Sequence, residues 1–307
     1  MMKYLKLVRY QNLLMLAGMQ LLFRYGFFEL QNVPVALTDF QFSLLVLATV
    51  AIAAAGYLIN NIFDVATDRE NRPGSVIIGN GVSEGTAYNI YIGLNIIGVG
   101  LGFYLSDGIG KPGFAALFVV IAATLYLYAS SLKRSLLIGN IIIALLLSVS
   151  ILVVGVYDLY PILTLQNQSL LGVVFQILID YAIFAFAINL VREIVKDLED
   201  VNGDYNQGMN TLPIALGVAR TAKVVFVLAL VPAIALGWYI YTYIFHLTYA
   251  AIYSIAFIAA PMGYFLVKLW YAKSQKDFGH LSSVLKWIVF FGILSILVIS
   301  LNMSYHA

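Results

Sequence analysis

Nine long apolar stretches divide this chain of 307 residues, and no other feature of the sequence limits its fold so strongly. They lie at 11–30, 40–60, 86–106, 113–131, 136–157, 169–191, 222–244, 249–271 and 284–303. Each is close to the roughly 20 residues that an α-helix needs to cross the hydrocarbon core of a bilayer. Only 10% of the residues are charged and 62% are hydrophobic, whereas a soluble domain has about 25% charged residues. The sequence therefore predicts a single all-α membrane domain, residues 1–307, with nine transmembrane helices.

The distribution of Lys and Arg predicts which side of the membrane each loop faces. If the N-terminus is cytoplasmic, the interior loops fall around 61–85, 132–135, 192–221 and 272–283. All but two of the 17 Lys and Arg residues, Arg24 and Lys111, lie in these loops or at the helix ends beside them. Because cationic loops resist translocation, this asymmetry favours a multi-pass protein of the cell membrane with its N-terminus inside and its C-terminus outside. The first stretch is as long as the others and lacks a cleavage site, so it is expected to be retained.

Composition also excludes some classes of site and partner. The chain has no cysteine, which excludes disulfides, thiolate metal sites and cysteine catalysis. Its formal net charge of +2 reports membrane orientation rather than nucleic-acid binding. The expected partner is therefore the lipid bilayer, and no nucleic acid is expected.

Charge is concentrated just after the second stretch, in NNIFDVATDRENRP at 60–73. Asn60, Asp64, Asp68 and Arg72 recur every four residues, so a helix that continued through them would carry all four on one face. This first acidic stripe is a candidate site at the cytoplasmic end of the second helix.

A second acidic stripe lies in NLVREIVKDLEDVNGDYNQGMNTLP at 189–213. Its members are spaced four, four, three and four residues apart and are Asn189, Glu193, Asp197, Asp200 and Asp204. This spacing selects one helical face until Gly203, which is expected to loosen the helix, and it leaves Glu199 off the stripe. The chain therefore carries two acidic helix ends, which the predicted topology places on the same side of the membrane.

Other interpretations of the acidic segments remain open at this point. A charged loop between membrane helices is often only solvated, although such a loop does not need its carboxylates on one face. An EF-hand calcium loop fails, since Tyr205 stands where a glycine is required and Thr211 where the bidentate glutamate belongs. An ion-coupled transporter is an alternative of a different class, but its ionisable groups tend to lie near the bilayer midplane.

The chemistry of the two stripes favours a divalent cation and a phosphate ligand. Mg²⁺ binds through one or two carboxylates together with substrate phosphate oxygens, so two facing stripes could hold about two or three ions around a diphosphate. Arg72, Lys133 and Arg134 would help to neutralise that diphosphate, although Lys133 and Arg134 could equally serve only as topological anchors. In a membrane the diphosphate is expected to carry an isoprenoid chain, and aromatic rings could stabilise its allylic cation.

Three segments, in order along the chain, carry a resemblance to a known family. They are Asn60-x-x-x-Asp64-x-x-x-Asp68-x-x-Asn71-Arg72-Pro73, then Tyr128-x-x-x-x-Lys133-Arg134 with Gly139-Asn140, then Arg192-Glu193-Ile194-x-Lys196-Asp197-x-x-Asp200-x-x-Gly203-Asp204 leading to Thr211-Leu212-Pro213. They resemble the motifs of the UbiA superfamily of intramembrane prenyltransferases, over essentially the whole chain. The resemblance implies nine helices bundled around a central cavity that opens toward the cytoplasm, Mg²⁺ as cofactor, a prenyl diphosphate donor and a lipophilic acceptor.

The resemblance also implies roles for individual residues. The implied metal ligands are Asn60, Asp64, Asp68, Asp197, Asp200 and Asp204, and the five aspartates among them are the implied catalytic residues. The implied substrate-binding residues are Arg9, Asn12, Asn60, Arg72, Lys133, Arg134 and Asn140.

Within the superfamily, the third segment, at 192–204, looks most similar to the branch that transfers a geranylgeranyl group to geranylgeranylglyceryl phosphate in ether-lipid synthesis. The same subgroup includes chlorophyll synthases and homogentisate prenyltransferases, so an aromatic or quinone-type acceptor is the alternative. Two departures from the family pattern leave the number of metal ions and the acceptor open. Asn61 stands where the family usually has Asp, and 74–85 reads GSVIIGNGVSEG in place of a second Arg-Pro.

Overall fold

The computed structural model of the protein describes residues 2–71, 74 and 76–306. These residues form helices that are joined by turns and loops, and no β-sheet forms among them. In chain order the α-helices are α1 Met2–Leu7, α2 Tyr10–Phe23, α3 Asp39–Phe63, α4 Val65–Asn71, α5 Glu84–Gly108, α6 Ala115–Ser130, α7 Ile138–Asp158, α8 Gln168–Asn206, α9 Leu212–Leu216, α10 Val218–Tyr239, α11 Thr248–Ser254, α12 Ala260–Tyr271 and α13 Gln275–His306. Short π-helical turns extend α2 at Arg24–Glu29 and α10 at Ile240–Ile244, and a third joins α11 to α12 at Ile255–Ala259. The all-α prediction is confirmed.

Eight helical segments of the described residues are long and apolar enough to cross a membrane. They are Asp39–Phe63, Glu84–Gly108, Pro112–Ser130, Ile138–Ile162, Gln168–Asn206, Val218–Ile244, Thr248–Tyr271 and Gln275–Tyr305. Each overlaps one of the nine apolar stretches, from the second stretch to the ninth, so the sequence located these elements correctly.

The first stretch, 11–30, is helical but is not among those eight segments. It carries Gln20 and Arg24, which lie buried in the bundle. Gln20 Nε2 donates hydrogen bonds to Thr49 Oγ1 and to Ser150 O, each at 3.2 Å. Polar side chains that donate hydrogen bonds to neighbouring helices lower the hydropathy of a segment while remaining inside the bundle. The count of nine helices and the cytoplasmic N-terminus therefore stay predictions.

Two hydrophobic cores pack along α8, one on each half of it. The first joins α8 to α2, α3 and α7 through buried side chains such as Phe23, Phe42 and Leu178. The second joins it to α10, α12 and α13 through side chains such as Ile194 and Phe265. With 39 residues, α8 is about 58 Å long, which exceeds the ~30 Å hydrocarbon core. The helix is therefore longer than is needed to span the bilayer, and its last turns carry the second acidic stripe.

A buried ion pair joins α2, α7 and the loop before α3 at the end of the bundle opposite the acidic stripes. Arg24 NH1 lies 3.0 Å from Asp158 Oδ1, and the exposed fractions of the two side chains are 7% and 0%. Arg24 NH2 also donates to Leu37 O at 2.8 Å, and Leu37 N donates to Asp158 Oδ1 at 3.1 Å. Asp158 Oδ1 therefore pairs with both the Arg24 guanidinium and the backbone N–H of Leu37 inside the protein.

Asp158→Ala is expected to lower the free energy of unfolding by about 3–5 kcal/mol, because it leaves the buried charge of Arg24 without its partner. Thermal unfolding of the detergent-solubilised protein measures the loss. Asp39 is the matched control, since its Oδ1 lies 3.4 Å from Arg24 NH2 while its side chain is 78% exposed. Asp39→Ala should therefore cost less than about 1 kcal/mol, and equal losses from the two substitutions would contradict the assignment.

Candidate active site

The two acidic stripes meet at one end of an internal cavity of about 250 Å³. The polar residues that line this charged end include Asn60, Asp64, Asp68, Asn71, Lys133, Arg192, Glu193, Lys196, Asp197, Asp200 and Asp204. Apolar side chains line the rest of the wall, among them Leu16, Phe118, Ile121, Leu147 and Val153. The cavity therefore joins a charged end to an apolar interior.

The first stripe lies across a bend between α3 and α4. α3 ends at Phe63, and α4 begins at Val65. The backbone bonds still follow the helical pattern through the bend, from Asp64 N to Asn60 O at 2.9 Å and from Asp68 N to Asp64 O at 2.8 Å. Asn60, Asp64 and Asp68 therefore line the cavity together, as their four-residue spacing predicts.

Asp64 is held between two neighbours. Asn60 Nδ2 donates to Asp64 Oδ2 at 2.5 Å, and Lys133 Nζ pairs with Asp64 Oδ1. The Lys133 side chain is only 8% exposed. Gly139 permits this arrangement, because a Cβ at that position would lie 2.9 Å from Lys133 Cα. The motif that joins Lys133 to Gly139 thus places a cation against the first stripe.

The second stripe lies on one continuous helix. α8 runs through Gly203 to Asn206, so the expectation that Gly203 loosens the helix is wrong. The members of this stripe that line the cavity are Glu193, Asp197, Asp200 and Asp204. Asp197 is anchored from α7, since Asn140 Nδ2 donates to Asp197 Oδ2 at 2.8 Å.

Asn71 ties the two stripes together. Its Nδ2 donates to Asp200 O at 3.2 Å, and its Oδ1 accepts a hydrogen bond from Gly203 N at 3.0 Å. A Cβ on Gly203 would lie 2.4 Å from Asn71 Oδ1, so only glycine fits under this contact. The glycine therefore serves the approach of α4 to α8 and does not end the helix. The four-residue spacing of the first stripe predicted no role for Asn71, although Asn71 stands within the first motif.

The oxygen atoms of the two stripes suit Mg²⁺. Asn60 Oδ1 is buried and has no hydrogen-bond partner among the residues that the structure describes, so it is available as a ligand. Within 2–71, 74 and 76–306, no three His, Cys, Asp or Glu side chains converge on one point as a metal site. Mg²⁺ in substrate complexes takes only one or two carboxylates and completes its octahedron with water and phosphate oxygens. This donor set therefore fits an ion that is shared with a diphosphate.

Arg9 and Asn12 reach the same cavity from the start of α2. Arg9 directly precedes the helix in the left-handed backbone region, with φ at 51°. Its guanidinium carbon lies 5.3 Å from the centroid of the Tyr57 ring, and Asn12 Nδ2 donates to Tyr57 OH at 3.2 Å. The cation–π contact and the hydrogen bond fix Tyr57 at the charged end of the cavity.

Three of the predicted substrate-binding residues are not among the described residues that line the cavity. Arg134 is exposed and is not part of the cavity wall, and its carbonyl accepts a hydrogen bond from Asn210 N at 3.0 Å. Asn140 contacts the cavity only through Asp197. Arg72 lies outside the described residues, so its predicted contact with the diphosphate stays a prediction.

Arg192 and Lys196 line the cavity as well, although no role was predicted for them from the sequence. Their signal was present, because both stand inside the third motif beside Glu193 and Asp197. The spacing of the acidic residues identifies only one face of α8, whereas these two cations lie on the neighbouring face.

The model that describes the UbiA prenyltransferase family matches residues 21–301. The chain belongs to the UbiA prenyltransferase family. Membership confirms the resemblance carried by the three motifs, and it places the chain among prenyltransferases rather than ion-coupled transporters.

Two curated relatives of this UbiA family member are digeranylgeranylglyceryl phosphate synthases. A digeranylgeranylglyceryl phosphate synthase of Thermococcus gammatolerans is 37% identical over 171 residues, 56% of this chain and 55% of that protein. A digeranylgeranylglyceryl phosphate synthase of Saccharolobus solfataricus is 32% identical over 232 residues, 74% of each chain. The chain thus spans about half the length of the Thermococcus relative in the matched region, and about three quarters of the Saccharolobus one.

A solved structure shares the fold of this UbiA family member. It is a UbiA homolog from Archaeoglobus fulgidus bound to DMAPP and Mg²⁺, which superposes with a TM-score of 0.63 at 15% identity and covers 96% of this chain and 99% of that one. At this identity the similarity shows a common fold.

Proposed function

We propose that the protein transfers a geranylgeranyl group from geranylgeranyl diphosphate to a hydroxyl of geranylgeranylglyceryl phosphate, in a reaction that depends on Mg²⁺. The observation that carries the proposal is that two acidic stripes and Lys133 surround the charged end of a cavity whose interior is apolar. The names of the curated relatives support this acceptor. The Archaeoglobus homolog bound to DMAPP and Mg²⁺ supports the class of donor and the metal.

In this proposal the donor diphosphate lies at the charged end of the cavity. The residues that would hold the metal are Asn60, Asp64, Asp68, Asp197, Asp200 and Asp204. When bound there, Mg²⁺ would neutralise the diphosphate and favour its departure as a leaving group. Lys133 adds positive charge at Asp64, and the family resemblance implies a contact of Arg72 with the diphosphate.

The reaction exchanges one carbon–oxygen bond for another. The bond between C1 of the prenyl chain and the bridging oxygen of the diphosphate breaks, and its electron pair leaves with the diphosphate. A lone pair of the acceptor hydroxyl oxygen forms the new ether bond to C1, and the hydroxyl proton passes to the released diphosphate. By holding both reactants in contact, the site converts a bimolecular step into an effectively intramolecular one.

The apolar interior would hold the prenyl chain of the donor. Side chains such as Phe118, Ile121 and Leu147 line it, so water is excluded from an allylic cation that water would otherwise capture. Tyr57 and Tyr128 line the cavity closer to the charged end, where the faces of their rings can stabilise positive charge at C1.

Lys133→Met is expected to raise the KM for geranylgeranyl diphosphate by about 10- to 100-fold, because it removes a charge-assisted contact with the diphosphate. The KM for the acceptor should change by less than about two-fold. Steady-state kinetics with each substrate varied in turn measures both values. Lys276→Met, on an exposed residue at the start of α13, is the control. An unchanged KM for the donor would leave Lys133 as a topological anchor.

We further propose that the whole chain is one domain in the cell membrane, with a cytoplasmic N-terminus and a cavity that opens to the cytoplasm. The absence of cysteine from the sequence makes this testable, since a single introduced cysteine reports its own side. Ser135→Cys should react with a membrane-impermeant maleimide only from the cytoplasmic side, and Lys111→Cys, on an exposed residue, only from the outside. Labelling of both from one side would reject the proposed topology.

The proposed reaction is tested with the purified protein, Mg²⁺ and geranylgeranyl diphosphate. Geranylgeranylglyceryl phosphate, aromatic acids and quinone precursors are offered in parallel, and products are identified by mass. A doubly prenylated glyceryl phosphate that disappears with EDTA and returns with Mg²⁺ is the expected result. A prenylated aromatic product alone would move the protein to quinone or pigment synthesis, and no product from any acceptor would reject prenyl transfer.

A further inference from the structure

Beside the acidic stripes, the cavity carries a second group of charged residues, which are positive. Arg9 from the start of α2 and Arg192 and Lys196 from α8 all line the wall. Arg192 and Lys196 are four residues apart, so they lie on one face of the helix. These three residues form the cationic cluster.

Glu193 holds two members of the cationic cluster, Arg192 and Lys196, in place. Its Oε2 lies 2.8 Å from Lys196 Nζ, and its Oε1 lies 3.4 Å from Arg192 NH1. Glu193 itself is buried. A single carboxylate balances one of the three positive charges of the cluster. Glu193 therefore positions Arg192 and Lys196 for a further anion while the cluster as a whole stays positive.

Arg192 retains a hydrogen-bond donor for such an anion. Its Nε is buried and has no hydrogen-bond partner in the part of the chain that the structure describes. A buried N–H without an acceptor is unfavourable, whereas a phosphate oxygen can satisfy the fork of a guanidinium in a charge-assisted bond. This unused donor marks Arg192 as the centre of an anion site.

A fourth cation lies close to the cluster. Lys286 lies on α13 beside the first turn of α2, since its Nζ lies 3.5 Å from Gln11 Oε1. Like charges that are gathered in a partly buried site repel one another, and a bound anion relieves that repulsion. Lys286 thus strengthens the positive potential where α2, α8 and α13 come together.

Resting on the proposed function, we infer that the cationic cluster binds the phosphate monoester of the acceptor lipid. The acidic stripes and Lys133 are assigned to the diphosphate of the donor, so a second phosphate requires cations of its own. Lys196 and Asp197 both line this cavity, so the two phosphate sites share one chamber, and the acceptor hydroxyl would lie between them. The charge of the cluster selects an anionic lipid over a neutral alcohol or phenol.

The test compares two acceptors that differ only in the phosphate, geranylgeranylglyceryl phosphate and geranylgeranylglycerol, with the full chain in neutral detergent. The unaltered protein should show a kcat/KM at least about 100-fold higher for the phosphate. Arg192→Gln and Lys196→Gln should each raise the KM for the phosphate acceptor by about 10- to 100-fold and leave the KM for geranylgeranyl diphosphate within about two-fold. Arg192→Lys keeps the charge without the guanidinium fork and should have an intermediate effect.

The controls separate a binding defect from a folding defect. Lys223→Gln removes an exposed charge of α10 that is outside the cavity, and it should change neither KM. Thermal unfolding of each variant reports whether the bundle is intact. Equilibrium binding of the two acceptors without donor is measured as well, because it does not require turnover.

The possible results are distinct. Loss of discrimination between the two acceptors at an unchanged KM for the donor supports the inference. A raised KM for the donor in Arg192→Gln would overturn it and assign the cationic cluster to the diphosphate, and equal use of both acceptors by the unaltered protein would also overturn it. Competition by phosphatidylglycerol would assign the cluster to headgroups of the bilayer instead. If no acceptor is prenylated, the proposed function fails. Selective binding of the phosphate acceptor that is lost in Arg192→Gln would still support the assignment of the cationic cluster to a phosphate.

Discussion

Asp64→Asn is expected to lower the rate of prenyl transfer by about 10³-fold. The substitution preserves the size of the side chain, but it removes the carboxylate at the centre of the first stripe. That carboxylate contacts both Asn60 and Lys133, and the proposed function assigns it to the metal that neutralises the leaving diphosphate. Asp200→Asn should produce a comparable loss, because the second stripe faces the same cavity. Single-turnover assays with saturating Mg²⁺ and donor measure the chemical step directly.

Glu199→Gln is the matched control for these two substitutions. Glu199 lies on the same helix as Asp200, but it is off the acidic stripe and is not part of the cavity wall. It should keep nearly full activity. Because Asp64→Asn also leaves Lys133 without its ion-pair partner, thermal unfolding must accompany the rates. Full activity of either aspartate variant would remove the proposed metal role, and an equal loss in Glu199→Gln would show that any lost acid on α8 impairs the protein.

The membrane helices could be predicted because their signal is long and simple. A segment of about 20 apolar residues can satisfy its backbone in lipid only as a helix, and eight such segments were located correctly. The first stretch was harder to classify, because Gln20 and Arg24 are buried by contacts with other helices. Partners such as Ser150 and Asp158 are more than 100 residues away in the sequence, and no local pattern reveals them.

The acidic site could be predicted in part for a similar reason. Spacing places residues on one helical face, and so it identified the side chains that line the cavity, such as Asp64 and Asp204. Spacing does not show which face of a neighbouring helix is opposite. The contact between Asn71 and Gly203 and the position of Arg192 depend on how α4, α2 and α8 pack. Gly203 was misjudged for this reason, since a glycine that weakens an isolated helix can also permit a close approach.

Gly203→Ala is expected to lower the rate of prenyl transfer by about 100-fold while the bundle stays folded. The added Cβ would lie 2.4 Å from Asn71 Oδ1, so Asn71 must move and lose its bonds to Gly203 N and Asp200 O. That movement separates α4 from α8 and changes the distance between the two acidic stripes. A displacement of about 1 Å in a catalytic arrangement can cost 10²-fold in rate.

Gly172→Ala, on the same helix, separates this effect from a change in helix stability. Both substitutions raise helix propensity by a similar amount, about 1 kcal/mol, but a Cβ at Gly172 would meet no atom within 4 Å. Gly172→Ala should therefore keep full activity. In an Asn71→Ala background, Gly203→Ala should add little further loss, because the contact is already absent and the two effects are not additive. Losses that add fully would show that Gly203 acts independently of Asn71, and the two stripes would then need another connection to hold them around one diphosphate.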